Sequence, residues 1–444
     1  MELLLSEPKT AELVSFWRYP SAWLRQNNLG RAFWIFFTAA FFFDAGFSVY
    51  FFLFNLYLLD LSFNERVMGL VGGAMMLGSV VGTLPAGMLG RRIGIRPLLV
   101  FLFITAPLMG VLRAFWVWEP AQIGLAFAAG LTMSVWGVCF LPAVARSTTE
   151  KNRASAFSLI FSVSIGTSAL GGMICGYLPH LLSISGFAMQ AAEVKRLILA
   201  GSCGVAVLGL VAVLGLRLPK EEAAESQPGR RGQLPRWKLA PFLWRFLPVM
   251  ALWSAVLASF TPFANVYLSR DLHIPLARIG IIFSAAQVVQ LCVGLLTPLI
   301  VRAVGLVNGI VGTQMAATLA MASLAMASNA TVAVALFLSF SAAQWMSSPG
   351  LYNLLMNETP DEERSSAAAM TLFCNALAGA AATAIAGILF TQFGYPRVLL
   401  GISALAFAAA ALFWLLISPR SPGAATQAVD AKGSLNGCHT GEGR

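Results

Sequence analysis

Residues 33–59 form an apolar run holding a single charged side chain, Asp44, and eleven more runs of similar length follow it. A helix needs about 20 mostly apolar residues to cross bilayer hydrocarbon. The other cores lie near 67–89, 97–117, 121–144, 155–181, 195–216, 246–268, 277–301, 305–327, 331–354, 365–392 and 396–417. Lipid offers backbone amides no partner, so segments like these must bond internally as helices. The pattern predicts an all-α membrane protein with 12 transmembrane helices in two pseudo-symmetric six-helix bundles.

Only 11% of the residues are charged, against about 25% in soluble domains, and the shortfall runs the length of the chain. The net charge of +10 is carried in short gaps between apolar runs, as in inner-membrane loops, so a nucleic-acid partner is not expected. His180, His273 and His439 fall in loops or the tail, and no nucleophile, metal or phosphate-loop pattern appears. An enzyme and a bound cofactor are therefore not expected. Cys139, Cys175, Cys203, Cys292, Cys374 and Cys438 are scattered without disulfide or metal-ligand spacing.

Five regions follow. Residues 1–31 carry Trp17, Trp23, Arg18, Arg25 and Arg31, a mix suited to the headgroup layer, and their short apolar stretch is not a signal peptide. Residues 32–216 and 246–418 hold six runs each. Between them, 217–245 is charged and Pro/Gly-bearing, as a linker would be. Residues 419–444 are small and polar, a tail expected to be disordered. Twenty-two of the 29 Lys and Arg fall on the side that holds both termini, and seven on the other. The positive-inside rule then places both termini in the cytoplasm of an inner or plasma membrane.

The two halves echo each other at an offset of 210 or 211 residues. "FNLYLLDL" (54–61) lies over "ANVYLSRD" (264–271), matching Asn55 with Asn265 and Tyr57 with Tyr267. "RRIGI" (91–95) lies over "RAVGL" (302–306), "KNRASAFS" (151–158) over "EERSSAAA" (362–369), and Gly176 over Gly387. Parallel repeats of this kind bind solute between their halves near the midplane.

With this layout, its basic linker and the loop "GMLGRRIGIRP", the chain resembles the major facilitator superfamily over nearly its whole ordered length. The loop keeps Gly87, Leu89, Arg92, Gly94 and Arg96 of the family pattern, while the family's Asp position holds Arg91 and its last basic position Pro97. The resemblance implies a secondary transporter, with a small-molecule substrate and action as a monomer. Run five, "SIGTSALGGMICGYLP", carries Gly166, Gly171, Gly172 and Gly176 and looks like the glycine-rich motif of the family's drug/proton antiporters. Its Gly-Pro pair is absent, Thr167 following Gly166. The fourth run has no central Arg, unlike many proton-coupled members.

Asp44 lies about 16 Å into its run at 1.5 Å per residue, near the midplane. A charge there costs about 2.5–3.5 kcal/mol to insert, which points to a proton carrier or a cation's counter-ion. A carboxylate bonded to a neighbouring helix is the structural alternative. Ser48, Phe51 and Asn55 share its helical face. Further central polar residues are Ser284, Gln287 and Gln290, Ser341, Gln344 and Ser348, Thr371 and Asn375, and Thr132 with Trp136. Helix–helix glue is the alternative for each. Together, Ser48, Asn55, Trp136, Gln287, Gln290, Gln344 and Asn375 are expected to line a neutral, aromatic cavity around Asp44. A ring of Arg and Lys suited to phosphates is missing. Arg113 is expected to snorkel to the outer headgroups.

On the cytoplasmic side Arg91, Arg92, Arg96, Arg153, Glu362 and Arg364 are expected to form a gate. "TPDEER" (359–364) reads as a capping box with Thr359 as N-cap and Glu362 three on. Its acids would pair with Arg91 and Arg92 to favour the outward-open state. The leading expectation is proton-linked export of an amphiphilic or weakly cationic molecule. An importer of a neutral solute such as a sugar or nucleoside would use the same polar stripes. A receptor or scaffold would need a sizeable soluble domain, and none is visible.

Overall fold

The computed structural model describes residues 29–149, 152–184, 190–217, 241–360 and 363–417. The first half contains α1 (Arg31–Asp60), α2 (Glu65–Ile93), α3 (Ile95–Phe115), α4 (Glu119–Ser147), α5 (Arg153–Ile184) and α6 (Ala191–Gly215). The second begins with α7 (Pro241–Phe260), a 3-10 turn (Thr261–Phe263) and α8 (Ala264–Arg270), which together make one crossing. It continues with α9 (Leu276–Val304), α10 (Leu306–Met326), α11 (Ala330–Glu358) and α12 (Arg364–Ile417). Among the described residues eleven segments are long and apolar enough to span a membrane. The last, α12, has 54 residues and breaks at Gly394, where φ is 73°. At 1.5 Å per residue it is about 80 Å long, enough for two crossings of a hydrocarbon layer about 30 Å thick. The result is a twelve-span, multi-pass membrane protein.

The internal repeat survives as backbone geometry. Gly94 (φ 90°) joins α2 to α3 and Gly305 (φ 87°) joins α9 to α10, 211 positions apart. Both adopt a conformation that a Cβ would strain. Ser62 (φ 63°) and His273 (φ 51°), the non-glycine residues with positive φ among those described, are separated by the same offset. Each sits in the first loop of its half.

Two ends of the molecule can be told apart: a linker face, where α6 ends and α7 begins, and a far face, where the 61–64 and 271–275 loops lie. Every tight glycine contact between the halves lies toward the far face. A methyl group built on Gly69 of α2 would stand 2.7 Å from Thr383 O of α12 and 2.9 Å from Gly387 Cα. One built on Gly176 of α5 would stand 2.9 Å from Ala277 Cα of α9. Gly280 of α9 packs on the backbone of Gly172. Gly69 and Gly280, and Gly176 and Gly387, are repeat mates, so the α2–α12 seam and the α9–α5 seam are one contact made twice.

Toward the linker face the halves part. A methyl group on Gly87 or Gly166 would meet nothing within 4 Å. Leu84 and Met88 of α2 and Leu372 and Phe373 of α12 are exposed there. The close backbone contacts between the halves therefore gather at the far face, while the linker-face ends of α2 and α12 present exposed side chains.

Two sequence expectations are corrected. Arg113 does not snorkel: its side chain is 3% exposed. Its guanidinium carbon stands 4.1 Å from the centre of the Phe54 ring, a cation–π contact, and Nη1 is 3.9 Å from Met75 Sδ. Gln122 of α4 donates to the carbonyls of Arg113 and Trp116, both at 2.6 Å, and holds the end of α3 inside the bundle. The capping box at 359–364 is also not formed. Thr359 ends α11, α12 begins at Arg364, and the Thr359 hydroxyl finds no partner among the described residues. Glu362 lies outside the described residues.

Candidate functional site

Asp44 sits mid-way along α1 and is half-buried. The Ser164 side chain of α5 lies beside its carboxylate. One turn further along α1, Ser48 donates to Thr167 O at 3.3 Å, which fastens this face of α1 to α5.

An aromatic wall continues from this point. Trp136 of α4 stacks on Phe43 at 4.5 Å and on Phe36 at 6.0 Å. It touches Phe140 at 5.4 Å, which meets Phe161 of α5 at 5.9 Å. Phe161 lies one turn before Ser164 and is 52% exposed. A lone carboxylate beside exposed aromatic faces is the chemistry that attracts organic cations: charge at one end and π surface along the body.

The second half supplies neutral polar groups. Gln290 Nε2 of α9 donates to Ser341 Oγ of α11 at 2.7 Å. Ser254 of α7 donates to the Asn375 carbonyl at 3.1 Å. Gln344 Oε1 and Asn375 Oδ1 are buried without a partner among the described residues. Gln287 is partly exposed on α9. Phe52 of α1 meets Phe283 of α9 edge-on at 5.3 Å, and Phe283 meets Phe337 at 5.5 Å. This aromatic bridge crosses between the bundles.

Asn55 stands apart from Asp44. The structure places it at the far-face seam, where its Nδ2 donates to Pro262 O at 2.6 Å. Asn265 answers it, donating to Phe52 O at 2.8 Å. A charged contact lies beyond: Arg270 Nη1 of α8 is 2.8 Å from both carboxylate oxygens of Glu65 on α2. Tyr395 donates to Glu65 Oε1 at 3.4 Å.

At the linker face, Arg92 and Arg96 are exposed, and Arg96 donates to Leu214 O within its own half. Arg364 donates to Met356 O at 2.8 Å. Arg153 Nε is buried without a partner among the described residues. The Arg91 side chain lies outside the described residues. No ion pair joins Arg92 to Glu363 among the described residues.

Sequence reasoning missed Ser164, Phe140 and Phe161. The spacing of Phe161 and Ser164, three apart on one helical face, was the available signal. It also missed Glu65, whose place in the first turn of α2 after the Asn64 cap reads as an ordinary helix-dipole acid.

Two six-helix bundles, held together at one end by contacts that obey an internal repeat, have the architecture of a transporter-type membrane protein. The model of the Major Facilitator Superfamily matches residues 36–383, well over half of the chain. The chain belongs to that superfamily. No curated protein matches it by sequence. Among solved structures it is similar to a mutant form of the nucleoside transporter NupG (TM-score 0.73, 15% identity, 87% of this chain and 100% of that one). It is also similar to the inward-open xylose transporter XylE from E. coli (TM-score 0.68, 14% identity, 88% and 96%). A third is an inward-facing, unoccupied bacterial homologue of the human lysosomal transporter Spinster (TM-score 0.69, 13% identity, 88% and 100%). At these identities the likeness establishes the fold.

Proposed function

We propose that the protein is a proton-coupled exporter that moves an amphiphilic, weakly cationic molecule by alternating access. Asp44 trades a proton for the substrate's positive charge, while Trp136, Phe140 and Phe161 take its apolar body. The observation that carries this reading is the half-buried Asp44 carboxylate, set beside Ser164 and an aromatic wall that includes the exposed Phe161 ring. The glycine stripe of α5, which resembles that of drug/proton antiporters, agrees with it. With the termini cytoplasmic, as the loop charges imply, the linker face, where the halves part, faces the cytoplasm and a cleft between them loads substrate from inside. Arg91, Arg92, Arg96, Arg153, Glu362 and Arg364 then form the gate that closes this side after loading. The protein works as a monomer in a cell inner or plasma membrane.

Flux across proteoliposomes tests this. A fluorescent aromatic monocation such as ethidium should move against an imposed proton gradient, with protons moving the opposite way. Asp44→Asn should abolish the proton movement. Equal ethidium flux in both proteins, with no proton movement in either, removes Asp44 from the mechanism.

A second reading, transport of a neutral polar solute, is favoured by the unpartnered buried oxygens Gln344 Oε1 and Asn375 Oδ1. Both accept hydrogen bonds and suit hydroxyl or amide donors. Uptake of a sugar or nucleoside unaffected by Asp44→Asn, and lost in Gln344→Leu, would select it.

A further inference from the structure

The far face is held shut by a neutral clasp and a charged contact, and only the clasp obeys the repeat. Asn55 and Asn265 are repeat mates, and so are their acceptors, Phe52 and Pro262, which lie 210 apart. The charged contact has no such mate. At the offset of 211, Glu65 corresponds to Leu276, and at 210 Arg270 corresponds to Asp60. Asp60 is engaged inside its own half, 2.7 Å from Lys195 Nζ. Arg270 instead crosses to the other half.

We propose that the Glu65–Arg270 pair, braced by Tyr395, is a latch that sets how readily the far face opens. The proposal rests on the rocking motion of the two bundles. Three features distinguish the pair from an ordinary surface ion pair. Glu65 is 3% exposed on its side chain while Arg270 is 55% exposed, so breaking the pair strands a buried carboxylate. The Glu65 backbone carbonyl also packs on Gly387, so the residue is rooted in the α2–α12 seam. Tyr395, which supports Glu65, is stacked on Phe390 at 4.5 Å and meets Tyr267 at a tilt at 5.1 Å, linking the latch to both α8 and the bend of α12. A cavity of about 230 Å³ beside it, lined by Asn64, Asp271, Thr391 and Gly394 among others, leaves Arg270 room to swing away. The latch opposes opening, and transport must overcome it once per cycle.

Spin-label distances on the full chain test this. After Cys292, Cys374 and Cys438 are replaced by serine, labels at Trp118→Cys and Ser328→Cys report the far face. Labels at Leu89→Cys and Leu296→Cys report the linker face. Glu65→Arg or Arg270→Glu should raise the long-distance population at the far face by about fivefold or more. The double reversal should return it to the wild-type distribution. Glu65→Gln, which keeps the shape, should act in the same direction if a reversal variant proves misfolded. Unchanged far-face distances in the single variants overturn the latch, as does a double reversal that stays as open as the singles. If the far-face labels part while the linker-face labels do not approach, the latch stands and the rocking motion fails.

Discussion

Asn55 and Asn265 clasp one another's helices: each donates its side-chain amide to the carbonyl three residues before the other, at 2.6 and 2.8 Å. The arrangement is a two-fold relationship written into one chain, because the donors and the acceptors are both separated by the repeat offset. Pro262 lies in the 3-10 turn that interrupts the seventh crossing, where the backbone departs from α-helical bonding. A hydrogen bond of this kind is worth about 1 kcal/mol net. Asn55→Ala and Asn265→Ala should therefore each raise the far-face-open fraction roughly fivefold, and do so about equally. The labelling rate of a cysteine at Phe283, on the aromatic bridge, reads this directly. A large effect from one and none from the other would mean that the symmetry is geometric but not energetic.

The glycine seams demand close approach rather than flexibility. Gly69→Leu or Gly280→Leu would drive a side chain into the backbone of the other bundle, since even a methyl group at either position overlaps it. Helix packing within each bundle is untouched, so both variants should insert and purify as folded protein. They should fail to close the far face and should transport at background level. Gly201 of α6, exposed and with nothing within 4 Å of a methyl group built on it, is the control, and Gly201→Leu should retain transport in comparison.

Much of this was legible in the sequence, for a physical reason. Span positions follow from hydrocarbon thickness, and the repeat follows from positions where two halves must meet alike. Gly94 and Gly305 stood out as motif glycines, and Asn55 and Asn265 as a matched pair. The role of Asn55 was not legible, because the same helical stripe that carries Asp44 bends out of the cleft and into the seam. Arg113 was misread because snorkelling is judged from depth alone, whereas its burial depends on the Phe54 face and on Gln122, a residue of another helix. Ser164 was hidden among many serines, since only the packing of α5 on α1 brings it beside Asp44.

The aromatic wall gives a prediction on specificity. Phe161→Ala removes an exposed ring beside Asp44, and a cation–π contact is worth about 0.5–2 kcal/mol. Affinity for an aromatic cation should fall roughly 3- to 30-fold, while affinity for a neutral solute of similar size should change little. Thermal-shift titration with both ligands on purified protein measures this. Equal losses for the two ligands would assign Phe161 to shape rather than to charge recognition.

Asp271, in the loop beside the latch, gives a pH dependence. Partial burial pushes its carboxyl above the ordinary range, helped by the Glu65 charge and opposed by His273 and Arg270. With the folded-state value above the unfolded one, the folded protein holds the extra proton between the two, so stability from this group falls as pH rises through that interval. Asp271→Asn removes the penalty. The variant should be slightly more stable than wild type at neutral pH, and the advantage should vanish as pH falls toward about 4, the unfolded carboxyl's range. Because Asp271 is exposed on one side, the difference should be small and should shrink further in salt. Melting curves of both proteins across pH decide it, and an advantage that grows at low pH would reverse the sign.

Arg113 is a buried cation that no carboxylate pairs with among the described residues, and its Nε has no hydrogen-bond partner. Phe54 and the neighbouring Met75 sulfur soften the penalty but do not remove the desolvation of a full charge. An apolar side chain of similar length should therefore be tolerated. Arg113→Met should leave stability unchanged or raise it by about 1 kcal/mol or more, whereas Arg113→Ala should lower it by opening a cavity beside Phe54. Melting midpoints in detergent separate the two effects of charge and volume. A sharp loss in Arg113→Met, matching that in Arg113→Ala, would mean that the guanidinium supplies a net attraction. The cation–π contact with Phe54 would then outweigh the desolvation, and Phe54→Leu should abolish the difference between Arg and Met at that position.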